Sequence, residues 1–153
     1  MFENANDGFP FMVGGSKSQI THLHPSAIQI FQLWQIYLNN VNPLLKISHV
    51  PTLQNQIVEA SADLSNVAEP LEALMFAIYL ISVTSMPNEE VEAAFGDSKN
   101  ALLARYHAAS QQALINAQFM SSTELTTLQA FLLYLVSLIL RLISRFPPSL
   151  FRM

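Results

Sequence analysis

Apolar residues recur at helical spacing from about Pro25 to the end of the chain, and no stretch alternates apolar with polar residues as a half-buried strand requires. Ala27, Phe31, Trp34, Leu38 and Val41 fall at 4-3-4-3 spacing, with Ile30 and Tyr37 widening the stripe and Gln32, Gln35 and Asn39 on another side. That pattern predicts an amphipathic helix packed by one face, opened by Pro25. Pro43 and Pro51 bracket a short irregular crossing. A second helix is predicted from about Pro51 or Thr52 to about Leu64, and a third over residues 70–85. Residues 71–83 are apolar nearly all round, which marks the third helix as the central, most buried one. Residues 87–94 read as a short helix: Pro87 opens it, Glu89 and Glu90 suit its positive end, and Gly96 closes it. A long helix is predicted over residues 98–117, capped by Asp97 or Ser98, with Leu102, Tyr106, Ala109 and Ala113 along one stripe. Ser121 and Glu124 have the spacing of a capping box, which would open a last helix containing residues 128–140. The fold class is all-α, an array of about five to six helices.

Composition sharpens this picture. Of 153 residues, 51% are hydrophobic and 12% charged, so there is ample core material and little charge to spare. The net charge is −4 and the seven Lys and Arg are scattered, without the basic cluster that neutralises phosphates. No DNA-binding residue is assigned. The absence of cysteine removes disulfides, thiolate metal sites and thiol nucleophiles together. The acidic N-terminus, broken by Pro10, is neither a secretory signal nor an Arg-rich transit peptide. A membrane span is not expected. The apolar run, residues 130–140, broken by Ser137 alone, covers half of the roughly 20 residues a spanning helix needs, and Arg141 and Arg145 follow it.

Candidate chemistry is thin. "GGSKS" at residues 14–18 has Ser16 between Gly15 and Lys17 and no strand before it, so it reads as linker, not as a phosphate loop. His22 and His24 form an H-x-H pair, but no neighbouring carboxylate or third histidine completes a metal site, and His24 before Pro25 reads as a helix entry. His49 and His107 are isolated and suit packing roles. Glu89, Glu90 and Glu92 read as a solvated helix end. Trp34 and "ALMFAIYLISV" read as core rather than as a ligand pocket. With no nucleophile elbow and no H-E-x-x-H run, catalytic, cofactor-binding and metal residues are each assigned as none, and no enzyme is expected.

Three ordered blocks carry a resemblance. They are "HPSAIQIFQLWQIYLNNVNPLLKISHVPTLQ" (24–54), "PLEALMFAIYLISVTSM" (70–86) and "FGDSKNALLARYHAASQQALINAQFMSSTELTTLQAFLLYLV" (95–136). Together they resemble the fungal-specific transcription factor domain, the middle homology or xylanolytic activator regulatory domain of fungal zinc-cluster transcription factors. The resemblance implies a helical regulatory region in the nucleus that does not itself contact DNA and is not an enzyme. DNA would be reached only through a zinc-cluster module whose six cysteines this chain lacks, so no zinc or other cofactor is expected here. The match fades after about Val136, which leads to the expectation of a truncated domain: a flexible linker at 1–23, a partial regulatory domain at 24–143 and a divergent tail at 144–153. Expected partners are a protein or a second copy, bound through exposed apolar helices, and no membrane. The alternative reading is a freestanding helical adaptor that takes a partner helix into an apolar groove without catalytic activity.

Overall fold

The computed structural model describes residues 16–145. Among these residues there are six α-helices and no strand: α1 (Ala27–Ile36), α2 (Val50–Ala62), α3 (Glu69–Thr84), α4 (Asn88–Phe95), α5 (Lys99–Asn116) and α6 (Leu125–Ser144). The all-α class and the number of helices are as the periodicity predicts.

Every residue of α3 from Glu72 to Val83 is buried. A helix that is apolar all round has to be enclosed on all sides, and the other elements do this. α6 and α5 pack most extensively against α3, and α1 with the turn after it covers much of the remainder. Leu102, Tyr106, Ala109 and Ala113 of α5 are all buried, the stripe predicted for that helix. Aromatic rings knit the centre: Trp34 stacks on Tyr37 at 5.5 Å, Phe76 meets Tyr79 edge-on at 5.4 Å, and Tyr79 lies 5.3 Å from Tyr106.

Helix ends follow local chemistry. The Ser98 hydroxyl accepts from the Ala101 N–H, and Gly96 ends α4 at φ 77°, where its N–H bonds the Glu92 carbonyl. Three expectations need correction. Pro25 does not open α1; Ser26 caps it by accepting from the Gln29 N–H at 3.3 Å, and Pro25 stays outside. The buried stripe of α1 and the π turn that extends it (Tyr37–Val41) is Ile30, Leu33, Trp34, Tyr37 and Val41, while Ala27 is exposed and Phe31 is 37% exposed. The outer side of α1 is itself apolar at Ile28 and Phe31, so periodicity predicts a helix without singling out the face. The capping box does not form. The Ser121 hydroxyl donates to the Gln118 carbonyl, and Ser122 accepts from the Glu124 N–H. The turn after α5, with Gln118 at φ 55°, delays the start of α6 to Leu125, beyond the reach of the box.

The first fifteen residues of the expected linker at 1–23 lie outside the described residues, as does the expected tail from residue 146 on. Residues 16–23 are not a loose linker: Ile20 is buried, Thr21–Leu23 form a 3-10 turn, and the backbone of Ser18 is held at both ends by the Asn116 amide, at 3.1 and 2.8 Å.

Candidate functional site

Two buried polar clusters and one apolar face stand out against this core. The first cluster ties the segment before α1 to α3. The His24 ring stacks on Phe76 with centroids 4.2 Å apart, its Nε2 lies 3.0 Å from Glu72 Oε2, and its Nδ1 lies 2.9 Å from Tyr79 Oη. The His24 side chain is fully buried. Burial, with Tyr106 and Glu72 nearby, holds the Tyr79 phenol well above its ordinary pKa. Tyr79 therefore stays protonated, and its contact with Nδ1 together with that of Nε2 with Glu72 gives all three groups a partner. A cleft of about 350 Å³ opens over Glu72, between Lys17, Ile20, Leu64, Glu69 and Asn116. The Lys17 ammonium pairs with Glu69 at 3.4 Å on its rim. The hydroxyl that meets the imidazole is the buried Tyr79 phenol, and the three-way contact ties the segment before α1 to α3.

The expectation that His24 has no neighbouring carboxylate is thus corrected, because Glu72 arrives from a distant helix. His22 is exposed and does not join it, and among the described residues no three His, Asp or Glu side chains could hold a metal. Gly14 and Gly15 lie outside the described residues. His49 bonds the Thr52 hydroxyl at the start of α2, and Glu89, Glu90 and Glu92 are exposed on α4. Trp34 is core, its Nε1 donating to Gln54 at 2.9 Å.

The second cluster lies between α5 and α6. Arg141 donates to His107 Nδ1 at 2.6 Å, the His107 ring lies 5.4 Å from that of Tyr134, and Gln111 donates to the Tyr134 hydroxyl at 3.0 Å. Burial first, and the Arg141 charge second, push His107 down to about 4, so the ring is neutral and accepts. Lys99 closes the carboxyl end of α3 by donating to the Thr84 and Met86 carbonyls, beside a cleft of about 480 Å³ that Arg141 also lines.

The apolar face belongs to α6. On its inner side the small residues Thr127, Ala130 and Ser137 are buried together with Leu133 and Tyr134. Its outer side carries Leu125, Leu128, Leu132, Leu135, Ile139 and Leu142 at 3-4-3-4-3 spacing. Leu125 is 67% exposed, and Leu128, Leu132, Ile139 and Leu142 are each exposed by about half, 43–53%, while Leu135, at the edge of the stripe, is partly buried against the core. The inner side packs on α3, and Leu125, Leu128, Leu132 and Leu142 are left outside. At 20 residues α6 is also long and apolar enough to cross a membrane, which corrects the sequence estimate; the helix runs on through Arg141 to Ser144 instead of stopping at Leu140. Its inner side nevertheless packs within the bundle.

The chain matches the fungal specific transcription factor domain over residues 34–143, from the last turn of α1 to the last turn of α6. It is 49% identical over 115 residues to transcriptional regulator AacuB of Aspergillus aculeatus, covering 75% of this chain and 16% of that protein. It is 46% identical over 121 residues to the aurofusarin cluster transcription factor aurR2 of Gibberella zeae, covering 79% and 18%. It is 36% identical over 108 residues to the C6 finger domain transcription factor nscR of Arthroderma gypseum, covering 69% and 15%. The chain thus spans about a sixth of the length of these relatives. No solved structure matches it.

Proposed function

Because this chain belongs to the fungal specific transcription factor domain family, we propose that it is a regulatory region of a fungal zinc-cluster transcription factor, acting in the nucleus in the control of DNA-templated transcription without contacting DNA itself. The observation that carries the reading is the family match, which takes in nearly the whole helical bundle. The placement of the charges supports it. Lys17, Lys99 and Arg141 are engaged with Glu69, with backbone carbonyls and with His107, and do not form a basic surface for phosphates. No zinc is part of the reading, since the chain has no cysteine to supply a cysteine cluster. The name of aurR2 ties that protein to the aurofusarin cluster, and we extend that role to this chain as control of a cluster of genes. No catalytic step is part of the reading.

The test is to fuse the chain to an unrelated DNA-binding module in a fungal host and read a reporter carrying that module's sites. The fusion is expected to enter the nucleus and shift reporter output several-fold from that of the module alone. Unchanged output at equal fusion levels overturns the proposal.

A further inference from the structure

We propose that two copies of this chain associate through the outer face of α6, the helices running antiparallel about a two-fold axis that passes between Leu132 and Leu135. The proposal rests on α6 alone and does not depend on the regulatory reading.

The spacing of the stripe points to a helical partner. Apolar residues every 3.5 positions form the seam of a coiled pair, with Leu125, Leu132 and Ile139 in one register position and Leu128, Leu135 and Leu142 in the other. The stripe is also its own complement. Turned end for end, a second copy sets Leu125 against the partner's Leu142, Leu128 against the partner's Ile139 and Leu132 against the partner's Leu135, so that none of the six is left over.

Charge selects the orientation. The flanking positions of the seam that lie on Leu125's side are Glu124, Phe131, Leu138 and Arg145, charged only at the two ends and with opposite signs. Antiparallel pairing brings Glu124 beside the partner's Arg145 at both ends; parallel pairing sets Glu124 beside the partner's Gln129 and leaves both charges without a partner. Both side chains are exposed and available. Arg141 points inward to His107 and takes no part.

The size fits as well. A 20-residue helix is about 30 Å long, and pairing two such faces buries on the order of 1,000 Å² in all, the threshold for a specific interface. This is a homodimer of closed symmetry rather than an open fibre, because one patch meets itself.

The experiment is sedimentation velocity on the full chain over a concentration series, with thermal unfolding by circular dichroism as the control for folding. The wild type is expected to pass from monomer to a single dimer. Leu132→Glu is expected to sediment as a folded monomer throughout. Glu124→Arg alone is expected to weaken the dimer on the order of 10-fold, through two exposed charge pairs made repulsive, and Glu124→Arg with Arg145→Glu to restore it; only antiparallel pairing gives that rescue. A folded wild type that stays monomeric, a dimer indifferent to Leu132→Glu, or a charge swap without rescue overturns the proposal. So does a chain that is monomeric in solution yet binds phosphatidylcholine vesicles through the same leucines.

Discussion

His24 and Glu72 show how much one pair of residues can hide from a linear reading. The sequence places them 48 positions apart, one before a proline and one inside an apolar run. Neither carries a signal that it needs the other, so the histidine reads as a helix entry and the glutamate as an interruption. The fold makes each the reason the other can be buried, since an unpaired buried polar group is expensive. His24→Ala is accordingly expected to lower unfolding free energy by about 2–4 kcal/mol and Tyr79→Phe by about 1 kcal/mol, measured by urea unfolding. Equal effects would mean that the carboxylate does not need the imidazole. His107 yields a pH prediction of definite sign. Its folded pKa of about 4 lies below the ordinary 6.5, so the unfolded chain binds more protons between these values. Stability is whole above 6.5 and falls as pH drops toward 4, by about 1–2 kcal/mol once solvent screening of a half-buried ring is allowed for. Unfolding midpoints across that range test this, and His107→Gln, which keeps an acceptor for Arg141, is expected to flatten the dependence.

At the scale of the element, periodicity and end residues carry nearly everything. α3, α4 and α5 lie within one or two residues of their predicted positions, because Pro87, Gly96 and Ser98 act locally and leave a mark in the sequence. The failures have local causes too. Ser121 and Glu124 have the right spacing for a capping box, but the left-handed residue Gln118 turns the chain first, and sequence spacing does not report φ. Gly96 isolates the contribution of a backbone angle. A Cβ there would meet nothing within 4 Å, so Gly96→Ala adds no clash and costs only the strain of a left-handed residue, about 1 kcal/mol. Ser98→Ala at the next helix start is expected to cost about the same, through the lost bond to the Ala101 N–H. A loss of 3 kcal/mol or more at Gly96 in thermal unfolding would show that strain is not the whole effect.

For the whole molecule, the question the sequence leaves open is which way each helix faces. α3 posed no difficulty, since a helix apolar on every side belongs in the middle. α6 is apolar on two sides, and hydrophobicity favours its leucine side for the core. The bundle does the reverse: the side turned inward sends Leu133 and Tyr134 into the core and places the small residues Thr127, Ala130 and Ser137 around them. This arrangement makes a prediction opposite to the usual one. Ser137 is fully buried, with its hydroxyl on the Leu133 carbonyl, so Ser137→Leu adds apolar volume where none fits. It is expected to destabilise by about 1–3 kcal/mol. Leu132→Ser removes apolar surface that is 43% exposed and is expected to change stability by less than about 1 kcal/mol at concentrations where the chain is monomeric. Paired urea unfolding curves at low protein concentration decide the matter. If the leucine variant proves the weaker of the two, α6 is turned the other way, its leucines form the core, and the outer seam does not exist.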